Sequence, residues 1–138
     1  MTDEKYLNKD LVNLPKGYED ARGIIQPLCD LNMKSASLIV SKPNTWRANH
    51  YHKTDWHYMY MLEGEADYYY RPAGSDDEPK VFLWSKDQMV FTPPMEEHTT
   101  VFKKDSTFLA ISRNPRDQES YEADVKRVEL VNPEKIKL

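Results

Sequence analysis

The stretch HYHKTDWHYMYMLEG, residues 50–64, contains three of the four histidines in the chain and is the most informative part of the sequence. His50 and His52 are two positions apart, and side chains at that spacing point to the same face of a β-strand. Lys53-Thr54-Asp55 has the composition of a tight turn, so His57 opens a second strand that can lie beside the first. The stretch therefore predicts two neighbouring strands that bring three imidazoles together.

Short apolar runs separated by turn residues continue on both sides of this stretch. They predict strands at residues 24–28, 37–41, 46–52, 56–62, 66–71, 81–84, 88–92, 99–103 and 107–112, a series typical of an antiparallel barrel. Asn114-Pro115 then indicates a helix start, with Asn as the cap, and predicts a helix over 116–124 and a strand over 125–131. We expect an all-β barrel (residues 21–113) between an N-terminal arm (1–20) and a C-terminal extension with a short helix and a strand (114–138).

Composition limits the classes of function. The chain has 138 residues, enough for one domain with a core. Its net charge of -4 argues against nucleic acid or an anionic membrane surface as the main partner. Cys29 is the only cysteine, which excludes an internal disulfide and a thiolate metal cluster. Because no apolar run approaches the ~20 residues of a membrane helix and the first residues do not resemble a signal peptide, we expect a cytoplasmic protein.

The fourth histidine, His98, follows Pro93 by five positions and heads another predicted strand. The segment from His50 to Gly64 resembles the first motif of the cupin family, and Pro93 with His98 resembles its weaker second motif. Cupins usually have Glu where this chain has His57. The resemblance covers about residues 21–113 and implies a single cupin (jelly-roll) β-barrel.

The resemblance also implies a metal centre, because cupins use these motif positions as metal ligands. The implied ligands of one divalent ion are His50, His52, His57 and His98. Every histidine of the chain falls on a motif position, which favours this interpretation over unrelated surface histidines. Imidazole is a common ligand of transition metals. Open coordination positions would favour Fe, Mn, Ni or Co, whereas a closed tetrahedral Zn would be structural.

Alternation along the strands selects further pocket residues. If the histidines face inward, Arg47 faces outward, and the inward set includes Trp46, Met59, Met61 and Phe102. For most of that set, a place in the barrel core is the simpler interpretation. Arg47 beside the histidines and Arg113 at the end of the last barrel strand could hold an anionic part of a small-molecule substrate.

A narrower resemblance points to nucleotide-sugar 3,5-epimerases and 3,4-ketoisomerases. It lies in Asp20-Ala21-Arg22-Gly23 and in the run from Trp46 to Lys53. The ketoisomerases show Arg-Gly-x-His-x-His-Lys, and Ala48 stands at the position of their Gly. Those enzymes generally need no metal and shuttle protons next to a ketone.

On this resemblance His50 is implied as the catalytic base and His52 as its assistant. Histidine is the commonest agent of such acid–base catalysis, which contributes roughly 10²–10⁴-fold in rate. The ketoisomerases tend to carry Gln or Glu at the position of His57, so this histidine would have no role there. For that reason the sequence favours the metal-dependent interpretation.

Three functions remain open at this stage. The first is a metal-dependent enzyme, of isomerase, lyase or dioxygenase type, acting on a carbohydrate derivative or a keto or hydroxy acid. The second is a metal-independent nucleotide-sugar isomerase or epimerase. The third is a non-catalytic domain that binds a sugar or a metal. In each case we expect a homodimer, since small cupins commonly pair.

Overall fold

The structure is a computed structural model that describes residues 10–132. Its one described helix, α1, spans Gln118–Asp124. The strands in chain order are β1 Tyr18–Asp20, β2 Gly23–Ile25, β3 Ser35–Ser41, β4 Thr45–His52, β5 His57–Glu63, β6 Glu65–Pro72, β7 Lys80–Ser85, β8 Met89–Thr92, β9 Glu96–Phe102, β10 Ser106–Ser112 and β11 Val125–Arg127. The all-β expectation is confirmed.

Two antiparallel sheets enclose the core. One has the strand order β3-β10-β5-β8, and the other has the order β11-β4-β9-β6-β7. Alternate residues of these strands meet between the sheets, where the most deeply buried large side chains include Met61, Tyr68, Trp84, Phe102 and Phe108. Full burial of one such side chain stabilises the fold by roughly 1.5–3 kcal/mol. Met61 and Phe102, expected as pocket residues, therefore belong to the core.

The connection between β5 and β6 explains the glycine of the first motif. Gly64 adopts a φ of 90°, a conformation that residues with a Cβ rarely take. A Cβ at this position would overlap Ser106 and the backbone of Asp105, at the start of β10. Only glycine allows the turn and β10 to pack this closely.

The N-terminal described residues lie along β8. The backbone N–H of Phe91 donates to the carbonyl of Asp10 at 2.7 Å, and the N–H of Val12 donates to Met89 at 2.9 Å. These contacts extend the first sheet beyond β8. The hairpin of β1 and β2 forms a separate two-stranded sheet.

The start of the C-terminal helix differs from the sequence prediction. The helix cap is Asp117, whose side chain accepts a hydrogen bond from the backbone of Ser120 at 2.9 Å. Asn114 was the predicted cap, but its backbone N–H donates to Asp55 at 2.9 Å and its side chain donates to Thr54 at 3.1 Å. Asn114 thus fixes the chain against the β4–β5 turn. Within residues 10–132, no helix is long and apolar enough to span a membrane.

Candidate active site

A β-bulge in β4 sets the direction of the first two histidines. Ala48 pairs with Thr99 and His50 pairs with His98, so Asn49 is an extra residue without a partner on β9. Ala48 and Asn49 have φ values of 79° and 55°, in the left-handed region that residues other than glycine seldom occupy. The ketoisomerase motif has Gly at the position of Ala48, which is consistent with this backbone conformation.

The bulge reverses the alternation of side chains upstream of Asn49. Arg47 lies opposite Thr100, on the face that His98 and His50 share. The outward direction expected for Arg47 is therefore wrong, because simple alternation does not account for an inserted residue. For the same reason the inward direction expected for Trp46 is wrong: it lies opposite Val101, on the other face of β4, and reaches the cavity at its rim. Its Nε donates to Ser41 Oγ at 2.7 Å and its Nη2 donates to the carbonyl of Val40 at 2.8 Å, which holds the guanidinium at the rim.

Asn49 connects the C-terminal segment to β4. Its Oδ1 accepts hydrogen bonds from Thr99 Oγ1 at 2.6 Å and from the N–H of Val131 at 3.0 Å. Its Nδ2 donates to the carbonyl of Val131 at 2.9 Å, and its own carbonyl accepts from Val128 at 2.9 Å. The buried amide thus both donates to and accepts from the C-terminal segment, and it fixes residues 128–131 beside the bulge.

Three of the four histidines form a tight cluster. One ring nitrogen from each of His50, His52 and His98 lies within 4.8 Å of the others. The ring of His57 is buried beside them, with centroid distances of 5.3 Å to His52 and 5.6 Å to His98, but it is outside this group of nitrogens. The Nδ1 atom of His57 is buried without a hydrogen-bond partner among the described residues. The four predicted histidines therefore lie together, but the nitrogens of His57 are not part of the close group that the other three form.

Burial keeps most of these rings neutral. It lowers the pKa of His50 to about 2, with the nearby His98 and His52 adding to the effect. It lowers the pKa of His98 to about 3, again with a contribution from His52. The pKa of His57 is also far below its ordinary value, mainly through burial. His98 Nδ1 lies 3.1 Å from the carbonyl of Glu96, which can only accept, so Nδ1 carries the proton and Nε2 is left as an acceptor.

His52 differs from the other histidines because a carboxylate supports it. Its Nδ1 lies 2.9 Å from Asp124 Oδ2, and both side chains are buried. Burial alone would raise the pKa of Asp124, but hydrogen bonds from Thr54 and His52 outweigh it and lower the pKa. Asp124 is therefore ionised and accepts a hydrogen bond from the Nδ1–H of His52, which leaves Nε2 of His52 as a base. This is the arrangement of carboxylate and imidazole that general-base catalysis uses.

Sequence reasoning missed Asp124, although one signal was present. Asp124 is the last residue of α1, where the helix dipole disfavours a negative charge, and the last turn contains no basic residue to offset it. An acidic residue in that place needs a partner from outside the helix. Here the partners are His52 and the backbone and hydroxyl of Thr54, at 2.6 and 2.7 Å.

A cavity of about 250 Å³ opens in front of the cluster, and all four histidines line it. Of the predicted pocket residues, Trp46, Arg47 and Met59 also line the cavity. Arg113 does not line it: its backbone is bonded to Trp56, and its side chain is exposed beside Asn114.

Two unpredicted residues of the C-terminal segment complete the cavity wall. Tyr121 lies with its ring centroid 6.2 Å from that of His50 and 6.0 Å from that of His52. Arg116 places its guanidinium carbon 4.7 Å from the centroid of the Tyr121 ring. Sequence gave no reason to choose Arg116 over Arg113, because both belong to one charged run.

The structure is similar to solved structures of sugar-nucleotide enzymes. A double mutant of a 3,4-ketoisomerase from Thermoanaerobacterium thermosaccharolyticum, in complex with TDP, matches with a TM-score of 0.70 at 20% identity over 87% of each chain. A 3,4-ketoisomerase from Helicobacter canadensis matches with a TM-score of 0.70 at 16% identity, over 87% of this chain and 90% of that one. The dTDP-4-dehydrorhamnose 3,5-epimerase from Sulfolobus tokodaii matches with a TM-score of 0.70 at 14% identity, over 90% and 80%. No protein-family model and no curated protein sequence matches the chain.

These similarities correct the expected cofactor. The prediction of one resident divalent metal (Fe, Mn, Ni, Co or Zn) is wrong, because the similar structures belong to the sugar isomerases and epimerases, which work without a metal. The clustered nitrogens of His50, His52 and His98 do not by themselves indicate an ion. The dioxygenase interpretation depended on that ion and loses its basis. The homodimer and the cytoplasmic location stay predictions.

At 14–20% identity, the similarity establishes the fold. The implied single barrel is confirmed, together with the short helix that follows it. The chain has the cupin fold of the nucleotide-sugar ketoisomerases and epimerases.

Proposed function

We propose that this protein is a metal-independent nucleotide-sugar isomerase, which moves protons at the carbons next to a ketone. The observation that carries the proposal is the buried pair of His52 and Asp124 at a cavity that also holds neutral imidazoles. The solved structures with the same fold support it. One of them is a ketoisomerase variant in complex with TDP-4-keto-6-deoxyglucose.

In the proposed reaction, His52 is the base. Its Nδ1–H donates to Oδ2 of Asp124, with 2.9 Å between the two atoms, so Nε2 can accept a proton from the carbon that bears a hydroxyl group next to the ketone. The carboxylate stabilises the imidazolium that forms. The sequence resemblance implied His50 as the base. We assign the role to His52, because burial lowers the pKa of His50 to about 2 and makes it a weak base.

His50 and His98 are suited to act on the oxygen atoms. A neutral imidazole offers one N–H donor, and the donor of His50 makes no hydrogen bond among the described residues, so it is free to bond the ketone oxygen where negative charge develops. Nε2 of His98 is an acceptor and can hold the neighbouring hydroxyl proton. Their ring centroids are 4.8 Å apart, which is close enough for both to reach one hydroxyketone.

The step balances without a further reactant. Loss of the carbon-bound proton to Nε2 of His52 leaves an electron pair that forms the double bond between the two carbons, while His50 donates a hydrogen bond to the ketone oxygen and keeps its proton. Nε2 of His98 takes the proton of the neighbouring hydroxyl and gives it to the former ketone oxygen. His52 then returns its proton to the former carbonyl carbon, so the ketone has moved by one carbon and all three histidines are back in their starting protonation states.

Arg47 and Trp46 are suited to hold the remainder of the substrate. Arg47 is oriented by Ser41 and Val40, and its other N–H groups are free for an anionic group. Trp46 is 40% exposed at the cavity rim, where its ring can stack on a flat partner such as a nucleobase.

In the test, the protein is first treated with a chelator and then incubated with TDP-4-keto-6-deoxyglucose in D₂O. The products are followed by ¹H NMR. We expect a second keto sugar, with deuterium at the carbon that accepts the proton. His52→Gln should lower the rate at least about 100-fold, since it removes the base, while Arg113→Ala, outside the cavity, should retain the rate.

Two results would overturn the proposal. One is the absence of deuterium exchange next to the ketone in TDP- and UDP-linked keto sugars. The other is activity that chelation abolishes and added metal restores. Exchange with inversion of a carbon, but without movement of the ketone, would instead identify an epimerase that uses the same base.

A further inference from the structure

Arg116 lies at the mouth of the cavity, on the segment between β10 and α1. Its guanidinium carbon is 4.7 Å from the centroid of Tyr121, within the range of a cation–π contact. The centroid of the Tyr121 ring in turn lies 6.0 Å from that of His52. The ring of Tyr121 therefore contacts the guanidinium and also lies near the histidines, which places the cation at the rim of the cavity.

Arg116 has no acidic partner among residues 10–132. Three other arginines of the described chain are neutralised by carboxylates, in the pairs Arg22 with Asp20, Arg71 with Glu97 and Arg127 with Glu122. The guanidinium of Arg116 makes no hydrogen bond or ion pair within residues 10–132, so its N–H groups stay available. Arg116 is thus a positioned but unneutralised cation beside the cavity.

The two arginines that line the cavity belong to different elements. Arg47 comes from β4 and Arg116 from the C-terminal segment. The chain as a whole carries a net charge of -4, so an anion gains little from the overall field and depends on local cations. The cavity of about 250 Å³ is of the size of a single sugar ring, which leaves a charged group attached to that sugar at the mouth.

We infer that Arg116, held on the ring of Tyr121, is an anion-recognition residue that binds the diphosphate of a sugar nucleotide at the cavity mouth. This inference rests on the proposed function and assigns part of the specificity to the C-terminal segment. A guanidinium bonds phosphate oxygens through two parallel N–H groups, whereas an ammonium acts as a point charge. The site therefore selects sugars linked to a diphosphate over free sugars.

The experiment measures binding of TDP, inorganic pyrophosphate and thymidine by calorimetry to the whole chain and to three variants. Arg116→Ala should weaken binding of TDP and pyrophosphate about 10-fold or more, as expected for loss of a charge-assisted hydrogen bond, and leave thymidine binding unchanged. Arg116→Lys should recover only part of the loss. Arg113→Ala is the matched control, since it removes an arginine three positions away that does not line the cavity.

A fourth variant tests for a purely structural effect. Tyr121→Leu keeps the cation but removes the ring, and it should weaken TDP binding less than Arg116→Ala does. Melting temperatures without ligand show whether each variant is folded.

The outcomes separate this inference from the proposed function. Equal TDP affinity of Arg116→Ala and the unchanged protein, within a factor of two, would overturn the inference and leave the isomerase proposal intact. An equal loss in Arg113→Ala would overturn it as well, as would failure of the unchanged protein to bind either diphosphate. Isomerase activity on keto sugar nucleotides is measured separately and decides the proposed function.

Discussion

Replacement of Asp124 by Asn should abolish most of the activity while leaving the fold in place. Oδ1 of Asp124 accepts from the backbone and hydroxyl of Thr54 at 2.6 and 2.7 Å, and an Asn carbonyl can accept both hydrogen bonds. The amide nitrogen would then face Nδ1 of His52, in place of the oxygen that lies there at 2.9 Å. An amide nitrogen can only donate, so His52 would have to carry its proton on Nε2.

This change of tautomer determines the size of the effect. With the proton on Nε2, the atom that faces the cavity can no longer accept one from carbon. The variant also loses the negative charge that stabilises the imidazolium. Loss of a general base costs roughly 10²–10⁴-fold, so kcat should fall by that factor. KM should change little, because Asp124 does not line the cavity.

The assay is the rate of ketone migration or of deuterium exchange at saturating substrate, with the melting temperature measured in parallel. Asp117→Asn is the matched control: it makes the same chemical change on the same helix, at an exposed cap position where Asn serves as well as Asp. If Asp124→Asn keeps its kcat within threefold of the unchanged protein, the carboxylate does not direct the tautomer and the assignment of His52 as base is wrong.

Three further predictions concern stability. The pKa of His98 is about 3 in the folded protein, against an ordinary 6.5. Between these values the unfolded chain binds more protons, so the free energy of unfolding falls as pH drops. His98→Gln should reduce the slope of the unfolding free energy against pH by about 1.4 kcal/mol per pH unit, measured by urea unfolding at pH 4–6. The pKa of Glu96 is raised to about 9, mainly by burial and then by Asp10. Above pH 4.5 the folded protein therefore keeps Glu96 protonated while the unfolded chain releases this proton, so stability falls as pH rises towards 9. Glu96→Gln should raise the melting temperature more at pH 8 than at pH 5. Ala48→Gly should stabilise by about 1 kcal/mol in urea unfolding, because its φ of 79° is strained for alanine; equal stability would show that the bulge carries no strain.

The barrel and the position of its histidines could be predicted from local patterns. The two-residue period places His50 and His52 on one face, and the structure has both rings at the cavity. Alternation also places Met59 there correctly. It fails for Arg47, because the bulge at Asn49 depends on the pairing of β4 with β9 and on contacts with residues 128–131. No pattern within the strand itself predicts an inserted residue.

Contacts between distant parts of the chain account for the remaining differences. The carboxylate of Asp124 is 72 positions from His52, and its place in the last turn of α1 indicates a partner outside the helix without identifying which residue that is. The choice between Arg113 and Arg116 depends on the direction in which the chain leaves β10, which the bond from Asn114 to Asp55 sets. Such long-range geometry follows from packing, and packing is not visible in residue spacing.

The pairing of β11 with β4 has a consequence for biosynthesis. Every strand of the two large sheets except β11 has been translated once residue 112 is made, but Asp124, which is hydrogen-bonded to His52, is translated only twelve residues later, just ahead of β11, which pairs with β4. Under the proposed function, a nascent barrel can therefore form before its base is complete, and activity requires that the segment with Asp124 and β11 has packed against β4.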